Sequence, residues 1–411
     1  MGERSVVVGD GPDAVRAASW LAASGAEVTL VAESEPTMEQ GFPLGRGVAR
    51  VPADAPAVVA AAFVPAGGLD AALLTGHRVH HLPLSVSALA SALGAAQVAD
   101  ATTAWARTRA SIELRRLIGG GRETRTYRDW VVGRFGEPVY ERLHSAWCGK
   151  RFGDPTRVSA SVARWAHVGD AGPASVPAAG FAGALDGVRV VRADVRAVRG
   201  GEVDTSDGRL EGRVWVAAPP QRACAWLDET FVREVASDVG GLVARDLVQY
   251  RFQGGVDLPF ETFVIDASVP VYRLLRPGVL PGGPGEATLV GHVGLASYAP
   301  TPEPERIGAA VTAGGVSVSV SGPAVRLAGW LPVWEGPHLS RYRRYLLALA
   351  ERGITPVGRT GLFAPVDVAQ ELTWLERVRL GEAPREVYRT LIEPGFTDRP
   401  EDAHLRRFAV R

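Results

Sequence analysis

The chain has 411 residues, of which 46% are hydrophobic and 22% are charged. This length exceeds one ordinary hydrophobic core, so we expect a soluble globular protein with two domains. The 45 basic and 45 acidic residues cancel, which argues against nucleic acid or an anionic membrane as partner and favours a small molecule or a protein. Two cysteines, Cys148 and Cys224, exclude a disulfide scaffold and any multi-cysteine metal site, so we expect no metal and a reducing compartment.

The amino terminus and the most apolar stretch indicate whether the chain is exported or crosses a membrane. Ser5–Val8 is not preceded by the basic and apolar regions of an export signal, which favours the cytoplasm. The apolar stretch Ala55–Leu74 contains Pro56, Pro65 and Asp70. These residues prevent an uninterrupted spanning helix, and we therefore predict no membrane span.

The first thirty residues predict a strand, a helix and a second strand. Ser5–Val8 and Glu27–Val31 are short β-branched runs, and Pro12–Ser24 between them has apolar residues at helical spacing. The segment 32–86 shows no sustained period and is predicted to be loop, with one helix at Val58–Phe63. The chain therefore opens with a βαβ unit.

The rest of the chain alternates between helical and strand-forming patterns. Helical spacing returns at Ser87–Leu93 and Tyr127–Trp147, the second interrupted by Gly136 and Pro138. A small antiparallel element is predicted from three valine-rich runs, Val188–Val191, Val195–Val198 and Val214–Ala217. A mixed or antiparallel sheet is predicted from four further runs, Leu242–Phe252, Phe260–Tyr272, Ala287–Val293 and Val316–Val320. Two last helices are predicted at Tyr342–Ala350 and Val368–Val378.

A glycine-rich turn joins the first strand to the first helix. Gly9 permits a tight turn, Gly11 lets a pyrophosphate approach the backbone, and Ala14 allows the helix to pack closely on the strand. The amino terminus of the helix offers free N–H groups to an anion. This context predicts a Rossmann-like nucleotide-binding unit; the alternative is a βα turn that needs glycine only for its geometry.

The acidic residue that such a unit uses to bind ribose is displaced. It is expected at the end of the second strand, where Ala32 stands, and Glu33 follows one place later. A shift of one residue reverses the face from which a strand side chain points, so Glu33 substitutes only if the strand has ended. Asp10 also places a carboxylate inside the glycine turn, where it would repel phosphates.

Six segments in the same order resemble one family of flavin-dependent proteins, which includes amine oxidases, protoporphyrinogen oxidase, phytoene desaturases and UDP-galactopyranose mutase. The segments are distributed along most of the chain: Leu82–Ser85, Tyr127–Gly136, Trp147–Pro155, Val214–Pro220, Leu331–Trp334 and Gly358–Phe363. The resemblance implies an α/β fold in which a Rossmann-like FAD/NAD(P)-binding domain is interleaved with a substrate domain of mixed or antiparallel sheet plus helices. It also implies FAD lying extended along the first domain.

The resemblance divides the chain and assigns residues to the two functions. It implies a nucleotide-binding domain of residues 1–80, 180–225 and 340–385, a substrate domain of residues 81–179 and 226–339, and a tail of residues 386–411. The cofactor would contact Gly9, Gly11, Ala14, Glu33, Val195, Gly358 and Gly361. A substrate cavity would be lined by Trp147, Lys150, Tyr272, Arg273 and Trp334, although Trp147 and Trp334 are equally explained as core aromatics.

The chain departs from the family at three places that face the flavin. The paired glycines expected soon after the second strand are missing from Glu33–Gln40, and a glycine-rich helix is contracted to Ala178–Leu185. Ala364–Val366 stands where polar residues usually flank the ring. Two hypotheses follow: an FAD-dependent oxidoreductase that acts on a small organic molecule, or a flavin-free member of the fold. The flavin-free member would be a redox-neutral enzyme or a non-catalytic protein that assists a partner.

Other reactive residues have simpler explanations beside the functional ones. His77, His80 and His81 suit a metal or a base, but a solvated loop is the simpler interpretation. Cys148 beside Lys150 would be an activated thiolate or a partly buried structural cysteine. Cations near the start of a helix call for a ligand or an acidic partner, or lie on a solvated surface: Arg341, Arg343 and Arg344. Strand arginines would bind an anion or simply be solvated: Arg273 and Arg276.

Overall fold

The structure is a computed structural model. It describes residues 3–36, 51–68, 70–75, 77–82, 126–160, 173–177, 185–254, 257–277 and 287–396, with a few positions between 87 and 110. Within these residues, every helix is too short or too polar to cross a membrane. Two of the three places where the sequence departs from the family fall in 37–40 and 178–184, outside the described residues. Most of the predicted helix Ser87–Leu93 and of the segment Leu82–Ser85 that resembles the family also lies outside them.

Eighteen strands and twelve α-helices are numbered here in chain order within the described residues. The strands are β1 Arg4–Val8, β2 Glu27–Ala32, β3 Phe63–Gly68, β4 Ala71–Thr75, β5 Arg78–His81, β6 Pro173–Pro177, β7 Val188–Arg192, β8 Val195–Arg199, β9 Glu202–Thr205, β10 Gly208–Glu211, β11 Arg213–Val216, β12 Val243–Gly254, β13 Glu261–Val264, β14 Arg273–Leu275, β15 Thr288–Leu295, β16 Val318–Val320, β17 Val325–Val333 and β18 Ile354–Pro356. The α-helices are α1 Pro12–Ala23, α2 Ala57–Ala61, α3 Tyr127–Phe135, α4 Glu137–Val139, α5 Ala146–Phe152, α6 Pro220–Cys224, α7 Glu229–Val239, α8 Pro304–Ala313, α9 His338–Glu351, α10 Gly358–Gly361, α11 Val368–Arg379 and α12 Pro384–Val387. π-helical segments Tyr140–Ser145 and Tyr388–Ile392 follow α4 and α12, and a 3₁₀ turn, Glu393–Phe396, follows the second.

The chain divides into two compact units, each assembled from separate stretches. Unit 1 comprises Met1–Gly67, Ala174–Ala244 and Pro337–Pro394, and unit 2 comprises Gly68–Pro173, Arg245–Gly336 and Gly395–Arg411. Unit 1 contains a parallel five-stranded sheet in the order β18-β11-β1-β2-β7. The predicted βαβ opening is confirmed, because β1 pairs in parallel with β2 and α1 connects them.

Local sequence explains where α1 begins and ends. Gly11 is the N-cap, and Pro12 occupies the first helical turn, where a missing N–H costs nothing. Val15, Ala18 and Leu21 are fully or almost fully buried, as expected for one apolar face repeating every three to four residues. The helix ends before Gly25, which has a positive φ of 88°.

The small antiparallel element is smaller than predicted. Of the three valine-rich runs, β7 pairs in parallel with β2 and β11 pairs in parallel with β1. The run at β8 alone forms an antiparallel sheet, with β9 and β10. The prediction was wrong for the other two because a valine-rich run suits either kind of sheet; its partner is decided by the long-range fold.

Unit 2 contains the predicted mixed sheet, which is confirmed. Its path is β16-β12-β15-β14-β13-β4-β5, with β17 also paired to β12. The β13–β4 pair is parallel and the other resolved pairs are antiparallel. One face packs on α8 through a core that includes Val248, Phe252, Leu289 and Ile307.

Three parts of the secondary structure differ from the sequence prediction. Residues 63–68, 71–75 and 78–81 form strands β3, β4 and β5 rather than loop. β4 has no alternating pattern because its residues Ala71 to Leu74 are all buried. Helices α7 and α8 were not anticipated, although Asp228 caps α7 through the N–H of Phe231. The helix predicted from Tyr342 begins at His338.

Candidate functional site

The glycine turn of unit 1 has the geometry that a pyrophosphate requires. Gly9 has a φ of 146°, and a Cβ there would lie 2.6 Å from the carbonyl oxygen of Ala217. Gly11 has open space, since apart from its chain neighbours no atom lies within 4 Å of where its Cβ would be. Ala14 is completely buried and would lie 3.2 Å from a Gly9 Cβ. The turn therefore needs glycine at position 9 for its fold, and it leaves the backbone open at position 11.

Glu33 lies just after β2, but its carboxylate is engaged by the chain itself. Its Oε1 accepts hydrogen bonds from the backbone N–H of Val195 at 3.3 Å and from the indole Nε1 of Trp226 at 3.2 Å. Its Oε2 accepts a hydrogen bond from Arg222 Nη2 at 2.8 Å. Ala32, the residue before it, is buried in the sheet. Two predicted cofactor contacts, Glu33 and Val195, are thus brought together and bonded to each other.

Arg222 also binds the carboxylate inside the glycine turn. Its Nη1 and Nη2 donate to the two oxygens of Asp10 at 2.9 and 3.0 Å, and Ser34 Oγ donates to Asp10 at 2.7 Å. Burial alone would raise the pKa of Asp10, but the hydrogen bonds from Arg222 and Ser34 outweigh it, and the pKa falls below its usual 3.8. Asp10 is therefore held as a charged carboxylate beside Gly11.

The predicted carboxy-terminal cofactor residues lie against the same end of α1. Gly358 has a φ of 74°, and a Cβ there would collide with Asp13. The Asp13 carboxylate accepts hydrogen bonds from the backbone N–H and hydroxyl of Thr360, at 3.0 and 3.1 Å. It also pairs with Arg16 at 2.5 Å. A Cβ at Gly361 would lie 2.7 Å from the carbonyl of Val216, so both glycines are required by close packing.

These contacts test whether the residues present fit FAD. The open backbone at Gly11 and the amino terminus of α1 suit a pyrophosphate. The adenosine half does not fit, because the Val195 N–H is used by Glu33 and the ribose-binding position is the apolar Ala32. Asp10 and Asp13 add two carboxylates next to the turn. Beyond α10, Ala364 and Val366 are buried and apolar where polar residues were expected to face the ring.

Sequence reasoning missed Arg222, Trp226 and Asp13. A topological signal for Arg222 was available, because it follows β11, and the carboxyl ends of parallel strands lie at the same edge of a sheet. With β11 paired to β1, residues just after β11 were candidates to meet the glycine turn. The sequence contained no comparable signal for Asp13, whose partner Thr360 is 347 positions away.

Lys150, a predicted cavity residue of unit 2, is enclosed by backbone carbonyls. Its three N–H donors are shared among four backbone oxygens, those of Val264, Asp266, Val269 and Val271, which lie 2.6, 2.9, 3.0 and 3.0 Å from Nζ. Burial lowers the pKa of the amine to about 7, and the nearby Asp266 carboxylate opposes the shift. The lysine ties α5 to the connection between β13 and β14.

The predicted cavity aromatics are packed side chains of unit 2. Trp147 and Trp334 are both buried and both make edge-to-face contacts with Phe152, at ring distances of 6.0 and 5.7 Å. Tyr272 is also buried, and the guanidinium of Arg151 lies 5.4 Å from the Trp147 ring and 5.9 Å from the Tyr272 ring. The structure thus brings these residues together; their role in binding a substrate stays a prediction.

Arg273 belongs to a row of polar side chains across four neighbouring strands. It pairs with Glu261 at 3.1 Å and donates to Nδ1 of His292 at 2.9 Å. A guanidinium has only N–H donors, so Nδ1 of the His292 ring is the acceptor in this contact. Nε2 lies 3.1 Å from the amide of Gln249. The sequence did not indicate Glu261, His292 or Gln249, because their proximity depends on strand register.

The remaining candidates have structural explanations. Burial raises the pKa of Cys148 to about 12, so this thiol is not activated. His77 and His81 are exposed and His80 is buried; within the described residues, no group of three or more metal-binding side chains occurs. The arginines of α9 have partners in unit 1. Arg341 donates to the Gly241 carbonyl, Arg343 pairs with Glu393, and Arg344 pairs with Asp238.

Comparison with solved structures agrees with this architecture. The chain is similar to reduced UDP-galactopyranose mutase, with a TM-score of 0.66 and 12% identity over 94% of this chain and 97% of that one. It is similar to cyclohexylamine oxidase from Brevibacterium oxydans IH-35A, with a TM-score of 0.53 and 17% identity over 95% and 99% of the two chains. It is also similar to a redesigned putrescine oxidase, with a TM-score of 0.52 and 15% identity over 91% and 98%.

These likenesses establish the fold class. The chain has the mixed α/β fold of FAD-dependent flavoenzymes, with a parallel sheet and a separate mixed sheet, and the predicted resemblance is confirmed. At 12–17% identity the likeness shows the fold alone. No protein-family model and no curated protein matches the sequence.

Proposed function

We propose that this chain is a flavin-free member of the flavoprotein fold, which works by binding a partner or small molecule rather than by redox chemistry. One observation carries the proposal: the Glu33 carboxylate accepts a hydrogen bond from the backbone N–H of Val195, so two residues that the sequence assigns to the cofactor are bonded to each other. A bound adenosine would have to displace this carboxylate, together with its bonds to Trp226 and Arg222.

The reactive side chains of unit 2 support a binding role. The Lys150 amine is surrounded by carbonyls, the Cys148 thiol is buried with its pKa raised to about 12, and His292 is fixed by Arg273. Lys150 and His292 are engaged in structural contacts and Cys148 is buried, whereas a general acid or base needs a free position facing its substrate.

An FAD-dependent oxidoreductase acting on a small organic molecule is the second candidate. The open backbone at Gly11 and the tight turn at Gly9 favour it. In such an enzyme the cofactor supplies the hydride chemistry, while the protein supplies position and electrostatics. The two candidates therefore differ in one measurable property, the retention of flavin.

The visible absorption spectrum of the purified protein decides between them. It is recorded from 350 to 500 nm before and after incubation with excess FAD and desalting. We expect a colourless protein that gains no flavin bands in either state. A yellow protein, or one that retains stoichiometric FAD after desalting, would overturn the proposal and support the oxidoreductase.

A second experiment asks whether loss of the ribose contact alone explains the result. Ala32→Glu restores the expected acid at the end of β2, but Glu33 and Arg222 still occupy the adjacent space. We expect no increase in FAD retention for Ala32→Glu. An increase to stoichiometric FAD would show that only the ribose contact was missing and that the rest of the cleft accepts the cofactor.

A further inference from the structure

Three charged side chains meet at one edge of the parallel sheet of unit 1. Asp10 follows β1, Glu33 follows β2, and Arg222 lies in α6 after β11. These three strands are adjacent in the sheet order β11-β1-β2. Their carboxyl ends therefore form a single edge, and this is the edge at which open α/β sheets bind nucleotides.

We infer that Asp10, Arg222 and Glu33 hold a cryptic adenine-nucleotide site closed, with their ion-pair network occupying the place of an adenosine diphosphate. The inference rests on the proposed function, since it explains how the cleft is closed and names the ligand class that the closure excludes. It goes beyond loss of a cofactor, because the glycine turn that would receive the pyrophosphate is intact.

The contacts of the network match the parts of the excluded ligand. At the adenosine end, Glu33 accepts hydrogen bonds from the Val195 N–H and the Trp226 indole. At the phosphate end, beside Gly11, Asp10 accepts hydrogen bonds from both terminal nitrogens of Arg222. The Arg222 guanidinium also lies 5.4 Å from the centre of the Trp226 ring. One arginine thus joins the two ends of the cleft.

Charge explains why the closed site rejects an anion. Two carboxylates and one guanidinium carry a net charge of about −1, so a pyrophosphate would meet repulsion at a helix terminus that otherwise favours anions. Removal of both carboxylates would reverse the net charge to about +1 and leave Arg222 unpaired in this cluster, beside the open backbone of Gly11. Arginine pairs well with phosphate because its donors form a planar fork.

The closure acts as an intramolecular competitor. The apparent dissociation constant of a ligand is inversely proportional to the fraction of molecules in which the site is open. The side chains of Asp10, Glu33 and Arg222 are only 20%, 29% and 35% exposed. Their charge-assisted bonds are therefore less weakened by solvent than those of fully exposed pairs.

The test measures binding of ADP by isothermal titration to the whole chain at low ionic strength. The variant is Asp10→Ala with Glu33→Ala, and the matched control is Glu27→Ala with Glu229→Ala, which changes the net charge equally but removes exposed pairs elsewhere in unit 1. We expect the variant to bind ADP at least tenfold more tightly than the wild type, and the control to stay within twofold. Adding Arg222→Ala to the variant should abolish the gain.

Several outcomes overturn the inference. A folded variant, verified by circular dichroism and melting temperature, that binds ADP no more tightly than the control contradicts it, and so does a gain that persists after Arg222→Ala. If the double variant does not fold, Asp10→Asn replaces it, with at least threefold tightening expected and no tightening counting against the inference. Retention of FAD by the wild type instead refutes the proposed function, so the two failures are distinguishable.

Discussion

Lys150, a predicted cavity residue, is hydrogen-bonded to the backbone of its own unit. It is the only lysine in the chain, and its ammonium donates to four carbonyls around the connection between β13 and β14. Lys150→Met would leave these carbonyls without their donor, and we expect unit 2 to lose on the order of 3 kcal/mol of stability. Chemical denaturation followed by tryptophan fluorescence measures the loss.

The control for Lys150 is Arg128→Met, which removes a cation of similar length from a pair with Glu137 whose two side chains are 40% and 38% exposed. We expect it to cost less than about 1 kcal/mol, the usual value of a surface ion pair. Equal losses for the two variants would show that the carbonyl cage contributes nothing beyond a surface charge.

The two cysteines are expected to be unreactive in the folded protein. Burial raises the pKa of Cys148 to about 12 and that of Cys224 to about 11, so the thiolate that reacts is scarce at pH 8. With Cys224→Ser isolating Cys148, we expect a thiol reagent such as DTNB to react at least 100-fold more slowly in native buffer than in denaturant. Rapid stoichiometric reaction of the native variant would instead identify an activated thiolate.

The turn between β1 and α1 allows a test at the scale of one element. Gly9 has a φ of 146° and a Cβ would contact the Ala217 carbonyl at 2.6 Å, whereas Gly11 has a φ of −81° and open space. We expect Gly9→Ala to lower the free energy of unfolding by roughly 2–3 kcal/mol, through backbone strain and overlap. Gly11→Ala should cost less than about 1 kcal/mol, so the pair differs only in local geometry. Similar losses for both would contradict this account of the turn.

Local sequence patterns predict some strands and helices of this fold and miss others. The βαβ opening was predictable because β1, α1 and β2 follow local periodicity and the glycine turn marks their connection. β4 was missed because both of its faces are buried, which removes the alternation that marks a strand. β7 and β11 were assigned to the wrong sheet, since valine-rich runs do not specify their partner.

The candidate site was predictable in its backbone and not in its side-chain partners. Gly9, Gly11 and Gly358 were found from the glycine turn and the family resemblance, and a side chain at Gly9 or Gly358 would overlap neighbouring atoms, whereas Gly11 has open space. Arg222 and Glu33 are 189 positions apart, and only the order of strands in the sheet brings them together. The departure of Ala32 from the family pattern was visible in the sequence, but the carboxylate that closes the cleft could be recognised only from three-dimensional contacts.

For the whole molecule, the abundance of arginine–carboxylate pairs predicts how stability depends on pH. Hydrogen bonds from Arg344 and Arg379 lower the pKa values of Asp238 and Glu376, and the network around Asp10 has the same net effect. In unit 2, hydrogen bonds from Ser268 lower the pKa of Asp266. Each of these carboxyl groups has a lower pKa in the folded protein than in the unfolded chain. As the pH falls towards the unfolded value of about 4, the unfolded chain therefore binds more protons than the folded protein.

The lower pKa values of these carboxyl groups in the folded protein make its stability fall on acidification. The stabilisation is complete above the unfolded pKa values and is lost as pH falls through the lower folded values. We expect the melting temperature to be steady with respect to these carboxylates between pH 5.5 and 7 and to fall progressively from about pH 4.5 downward. Differential scanning calorimetry from pH 7 to pH 2.5 measures the fall, and a melting temperature that stays constant or rises over this range contradicts the prediction.

A matched pair of variants connects the fall to particular ion pairs. Arg344→Ala removes the partner that lowers the pKa of Asp238, so its melting temperature should be lower at pH 7 and should decline less on acidification than that of the wild type. Arg306→Ala, at an exposed position of α8, should follow the wild-type curve. If both variants decline in parallel with the wild type, the acid sensitivity comes from net charge on the whole chain and not from the paired carboxylates.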